Sequence, residues 1–147
     1  MITTKWVLGN RNLTDIHNMR RIVFMEEQNV PEEEEMIVWE DEASTHLIIY
    51  ENGSPVATGR IMVHEDKFSM GRIAVYKEHR GKGYGKLVTE ELINKAFLMG
   101  AAKIEIHAQT HALGFYQSFG FEVCSEEYEE AGIMHYTMVL ELMLTKP

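Results

Sequence analysis

Tyr76-Lys77-Glu78-His79-Arg80-Gly81-Lys82-Gly83-Tyr84-Gly85-Lys86 joins two segments of different periodicity. Before it, Phe68 to Val75 reads as a strand. After it, Tyr84, Leu87, Val88, Leu92, Ala96 and Met99 recur every three or four residues, which predicts an amphipathic helix with its apolar stripe against a sheet. Gly100 closes that helix. A glycine-rich turn leading into a helix lets backbone N–H groups approach an anion without interference from Cβ atoms. The helix N-terminus adds unpaired donors and a partial positive charge. Arg80, Lys82 and Lys86 add full charges, and the combination suits a pyrophosphate. Two phosphate-binding fingerprints fail here. Lys86 stands at the third glycine of G-x-G-x-x-G. In the P-loop pattern, Arg80 replaces the first glycine and Leu87 replaces the Ser or Thr. What remains is R-x-x-G-x-G, on Arg80, Gly83 and Gly85.

On the N-terminal side, Thr3 to Leu8 reads as a strand, and Thr14 caps a helix with apolar positions Ile16, Met19, Val23 and Phe24. Val30-Pro31 ends that helix, because the residue before proline avoids helical geometry. His46 to Tyr50 and Pro55 to His64 form a hairpin around Asn52-Gly53. On the C-terminal side, Lys103 to Gln109 alternates, with Ile104, Ile106 and Ala108 on one face and Glu105, His107 and Gln109 on the other. Ala112 to Phe119 is a short helix closed by Gly120, and Phe121 to Cys124 and His135 to Leu142 are the last strands. The order β-α-β-β-β-α-β-α-β-β predicts an α/β sandwich around one mixed sheet. The acidic runs Glu32 to Glu35 and Glu126 to Glu130 read as solvated loops.

Composition narrows the function. The 147 residues fit one domain, 1–147, and 45% hydrophobic with 25% charged residues is ordinary globular composition. A net charge of -9, from 14 basic and 23 acidic residues, weighs against a nucleic-acid partner. No segment is apolar enough to expect a membrane span, and no signal-peptide stretch opens the chain. The single cysteine, Cys124, cannot form an intramolecular disulfide, so a cytoplasmic location is expected, with the thiol buried as a small apolar group. His17, His46, His64, His79, His111 and His135 lack metal-ligand spacing, and no metal is expected. Trp6 and Trp39 are expected to pack, and the methionines to fill the core.

Arg72-Ile73-Ala74-Val75 followed by Arg80 to Gly85 resembles the acetyl-CoA motif of the GNAT N-acetyltransferase superfamily. Gly114-Phe115-Tyr116-Gln117-Ser118-Phe119-Gly120-Phe121 resembles that family's tyrosine-bearing short helix ending in Gly-Phe. Arg20-Arg21-Ile22-Val23-Phe24-Met25-Glu26-Glu27-Gln28-Asn29-Val30 is similar to the R-x-x-V-F-x-x-E-Q-x-V segment of the ElaA/YjcF-like branch, which His46 also fits. The match runs from Ile2 to Leu142.

The resemblance implies a single-domain GNAT-like α/β fold: a mixed, mostly antiparallel sheet flanked by helices and splayed between its fourth and fifth strands. It implies transfer of an acetyl group from acetyl-CoA, as cosubstrate, to a small-molecule or peptide amine by direct attack in a ternary complex. Backbone groups of Ile73, Ala74 and Val75 would pair with the pantetheine arm. Arg80, Gly81, Lys82, Gly83, Tyr84, Gly85 and Lys86 would hold the pyrophosphate, and Tyr116 would protonate the leaving thiolate. Glu27 and Gln28 would line the acceptor pocket. The base stays open among Glu27, Glu105, His107 and water. Many family members carry asparagine where this chain has Gln109. The resemblance also allows a homodimer through the C-terminal strands. A non-catalytic acyl-CoA-binding or sensing module on the same fold is the competing expectation, since fold alone does not fix function.

Overall fold

The computed structural model describes residues 1–141. Eight strands build one sheet: β1 (Ile2–Leu8), β2 (Ser44–Glu51), β3 (Ser54–His64), β4 (Lys67–Val75), β5 (Lys103–Gln109), β6 (Glu122–Val123), β7 (Tyr128–Glu130) and β8 (Ile133–Glu141). They run in the order β1-β2-β3-β4-β5-β8-β6, with β7 pairing β8. All pairs are antiparallel except β4 and β5. The helices are α1 (Thr14–Arg20), α2 (Glu32–Glu35), α3 (Val38–Glu42), α4 (Tyr84–Leu98) and α5 (Leu113–Gln117).

Side-chain alternation along β2 divides the core. Leu47 and Ile49 join Val88, Leu92 and Ala96 of α4 in the large cluster on one face. Ile48 joins Leu13, Ile16 and Met19 around α1 on the other. Close approach of α4 depends on Gly59, where a Cβ would meet Val88 Cγ1 at 2.7 Å and Leu92 Cδ1 at 2.8 Å.

The parallel seam is short. Its register is carried by one pair, Ser69 with Glu105. Just beyond it β4 bulges: the ladder steps from Thr58 to Arg60 on β3 while β4 steps from Ala74 to Gly71, and Arg72 takes a φ of 50°. A bulge bends its strand and ends regular pairing. From there β4 and β5 diverge, which is the splay expected between the fourth and fifth strands.

Several local expectations change. The side chain at the start of α1 is Asn12, whose Oδ1 accepts from Thr14 N at 2.9 Å and Thr14 Oγ1 at 2.6 Å, so Thr14 is not the cap. Beyond α1 the chain widens into a π-helical stretch, Arg21–Glu27, and ends at Gln28 before Val30-Pro31 is reached. Glu32 to Glu35 is a one-turn helix rather than a solvated loop, and its Glu35 is buried. The second acidic run contains β7, a strand the sequence pattern did not signal. Cys124 is exposed rather than buried, with its Sγ 3.5 Å from Thr137 O. Trp6 packs against the core while Trp39 is half exposed. The expected strand end at Leu142 lies outside the described residues.

Candidate active site

The splay opens into a cleft of about 1070 Å³, lined by β4 from Ser69 to Val75 and by the polar face of β5, Glu105, His107 and Gln109. Its other walls include the π-helical stretch through Phe24 and Glu27, the α2 turn through Glu33 to Glu35, β3 through Arg60 and Met62, α5 through Phe115 and Tyr116, and the β7–β8 hairpin through Glu130, Ile133 and His135.

At one end lies the glycine turn. Gly81 and Gly83 have φ values of 81° and 86°, a left-handed geometry that disfavours any side chain. Gly83 is the N-cap of α4 and provides no side-chain cap. Arg80 N donates to Lys77 O at 3.3 Å and Leu87 N to Gly83 O at 3.0 Å. Among the described residues, no protein acceptor faces the amides of Gly81 through Lys86 that lie between them. Gly85 carries the most specific signal. It sits in the first turn of α4 without positive φ, and a Cβ there would meet nothing closer than Phe115 Cζ at 3.8 Å. Protein packing therefore gives no reason for a helical glycine, which costs about 0.5–1 kcal/mol relative to alanine.

The loop is anchored by Glu51. Its carboxylate accepts from Tyr84 Oη at 2.8 Å and faces His79 Nδ1 at 3.2 Å and Lys82 Nζ at 3.7 Å. These contacts, led by the tyrosine hydrogen bond, hold the Glu51 carboxyl below its ordinary value. The ring of Tyr84 is buried, so only its amide faces the turn. Lys86 Nζ lies 3.9 Å from Glu90 and is largely exposed. Arg80 bridges the two ends of the cleft: Nε donates to Val75 O at 3.0 Å and Nη2 to Glu27 Oε2 at 2.8 Å. Glu27 is thus already paired with a cation. Gln28 Oε1 accepts from Gln109 Nε2 at 3.0 Å, and Gln109 Oε1 lies 2.7 Å from His111 Nε2.

Tyr116 is fixed by edge-to-face contacts with Phe115 at 5.1 Å and Phe121 at 6.0 Å. Its hydroxyl has no hydrogen-bond partner among the described residues. Burial pushes the phenol up to about 12. The residue is nonetheless only half-buried, and the access it keeps is through the cleft. Such a phenol holds its proton throughout the physiological range.

Sequence reasoning missed a buried charge cluster behind the α2 wall. Arg20, 0% exposed, donates Nε to Glu35 Oε1 at 2.7 Å, Nη1 to Asp41 Oδ1 at 2.6 Å and Nη2 to Glu35 O at 2.8 Å. Arg60 Nη1 also reaches Asp41 Oδ1, at 2.8 Å, and His17 Nε2 lies 3.0 Å from Asp41 Oδ2. Arg72 Nη2 donates to Glu34 O at 3.0 Å. Its buried Nε lies 3.3 Å from Glu35 Oε1, close enough for charge attraction but out of alignment for a hydrogen bond. These contacts clamp α2 and α3 to the β4 bulge. The signal lay in the spacing Ile16-Met19-Arg20-Val23: an arginine on an apolar stripe requires a buried acid elsewhere.

The acetyltransferase (GNAT) domain family matches residues 16–142. YjcF of Bacillus subtilis strain 168, an uncharacterized N-acetyltransferase, is 39% identical over 132 residues, 89% of this chain and 94% of that one. Protein ElaA of Escherichia coli K12 is 33% identical over 131 residues, 85% of this chain and 84% of that one. The crystal structure of Escherichia coli ElaA superposes with a TM-score of 0.86 at 28% identity, covering 96% of this chain and 100% of that one. A Bacillus subtilis acetyltransferase solved in complex with CoA superposes with a TM-score of 0.69, covering 96% of this chain and 100% of that one. At 20% identity that likeness concerns the fold.

Proposed function

The chain belongs to the acetyltransferase (GNAT) domain family, in the branch of ElaA and YjcF, and from that membership we propose that it is an acetyl-CoA-dependent N-acetyltransferase acting on a primary amine. One observation carries the proposal: unpaired amides at the start of α4 adjoin a splayed cleft that an unpartnered phenol lines. The amides of Gly81 through Lys86, with Lys82, Lys86 and part of Arg80, hold the pyrophosphate. The edge of β4 over Ile73, Ala74 and Val75, turned from β3 toward the cleft, offers backbone groups to an extended pantetheine arm. Val75 O is shared with Arg80 Nε, so not every group of that edge is free.

The reaction is direct attack of a neutral amine on the thioester while both are bound. Tyr116 donates a proton to the departing sulfur, whose thiol has a pKa near ~8.5 when taken as an ordinary thiol. Glu27 and Gln28, on the wall opposite α5, line the acceptor side. A backbone N–H near Val75 steadies the developing oxyanion.

The test is thiol release from acetyl-CoA across a panel of amines, with product mass, beside calorimetric titration of CoA. Amine-dependent thiol release and a product heavier by one acetyl group are expected. CoA binding without amine-dependent release would instead make the chain a non-catalytic acyl-CoA-binding module, and absence of CoA binding would remove both readings.

A further inference from the structure

Building on the acetyl-transfer role above, we propose that His107 accepts the proton of the attacking amine and that Glu130 is its positioning residue. The period of β5 buries Ile106 and Ala108 and turns Glu105, His107 and Gln109 to the cleft. His107 Nδ1 lies 3.1 Å from Glu130 Oε1, across the sheet on β7. Its Nε2 lies 3.3 Å from Glu105 Oε2. The two carboxylates are not equivalent. Glu105 presents its other oxygen to Lys67 Nζ at 3.1 Å. Glu130 has His135 Nε2 behind it at 3.9 Å and the charge of Arg72 farther off. The edge of Tyr128 closes the remaining side, with its hydroxyl engaged by Thr137 Oγ1 at 2.9 Å. Glu130 therefore has the stronger claim on the ring. With Nδ1–H given to Glu130, neutral His107 presents the Nε2 lone pair to the cleft, and an incoming amine takes the place of Glu105.

The two glutamates named above as candidate bases face cations. Glu27 holds Arg80 and Glu105 holds Lys67. His107 faces two anions, which stabilise the imidazolium that proton transfer creates.

The amine nitrogen bonds to the thioester carbon and its proton passes to His107 Nε2. The carbon–sulfur bond breaks, and sulfur takes the proton of Tyr116. Water then carries the imidazolium proton back to the phenolate, which restores both groups.

Groups facing His107 are Glu105 on its own strand, Glu130 and Tyr128 from β7, and at one remove Lys67, His135 and Arg72. The Glu130 hydrogen bond, followed by its charge, raises the imidazole above its ordinary value. With the best amine from the panel, kcat/KM is expected to rise with pH through that raised value. Ionisation of the amine is common to all variants, so the inflection that belongs to His107 is the one that vanishes in His107→Gln. That variant is expected to lose about 10²–10⁴-fold in kcat, and added imidazole is expected to restore part of the rate to His107→Ala. Glu130→Gln is expected to move the inflection to lower pH. Proton–nitrogen correlation spectra of the wild-type histidines report the tautomer directly, and neutral His107 is expected as Nδ1–H. An Nε2–H tautomer, or a His107→Gln enzyme with wild-type rate and pH profile, overturns the assignment while leaving acetyl transfer intact. A panel with no amine-dependent thiol release overturns acetyl transfer and the assignment with it.

Discussion

Tyr116 is held at its ring and left unpartnered at its hydroxyl, an arrangement that favours chemistry over packing. A buried tyrosine kept for structure finds an acceptor; this one faces the cleft instead. Tyr116→Phe keeps both edge-to-face contacts and removes only the hydroxyl group. Turnover is expected to fall at least about tenfold, toward the range seen when a general acid is lost, while CoA affinity measured by calorimetry holds. The place of Tyr116 on a short helix was legible because its neighbours form a local motif, and the structure puts it in the cleft wall. Arg20, Glu35 and Asp41 were not legible, because their partners are far apart in sequence. A run of four glutamates carries no sign of which one will be buried. Only the arginine on the stripe of α1 hinted at it.

At the scale of elements, two departures from regular structure make the site. The bulge at Arg72 opens the seam, and the π-helical stretch carries Phe24 and Glu27 into the cleft wall. Val30 N reaches back to Phe24 O at 2.9 Å to close the wide turn. Neither was visible in the sequence, since a period of 3.6 through Ile16, Met19 and Val23 says nothing about where a helix widens. The start of α4 was visible, because positive-φ glycines leave a compositional trace. Gly85→Ala tests that element. The free protein is expected to gain about 0.5–1 kcal/mol against urea, as a helical glycine is replaced. CoA titration is expected to weaken, because the new methyl group occupies the ligand's approach. A gain in stability with unchanged CoA affinity would show that nothing lies over the turn.

At the scale of the molecule, the wall from α2 to α3 is fastened by buried ion pairs. Removing one member leaves the others buried and unpaired. Arg20→Met is expected to cost about 3–5 kcal/mol in chemical denaturation. Burial alone would raise the Asp41 carboxyl, yet Arg20, Arg60 and His17 hold it below its ordinary value. A lowered folded value means that this stabilisation is complete above the normal carboxylate range and is lost as pH falls through the lowered value. Wild-type stability should therefore drop on acidification below about pH 4, and Asp41→Asn should show a lower but flatter profile. The apolar faces of α1 and α4 and most of the strand sequence were legible in hydrophobic period and turn residues, whereas the mostly antiparallel, splayed sheet was expected from the family resemblance and β7 was not signalled. Nor was the cluster, because an ionic core is a property of the assembled chain.

Arg80 has consequences for how the two ends of the cleft communicate. One guanidinium cannot serve a phosphate and Glu27 equally, so each competes with the other for it. An anion that recruits Arg80 releases Glu27 to meet a positively charged guest, and by thermodynamic reciprocity the guest assists the anion in return. The pair is part-exposed, so its whole worth is about 0.2–1 kcal/mol. Glu27→Gln is therefore expected to tighten CoA by no more than about fivefold at low salt, an advantage that added salt erases.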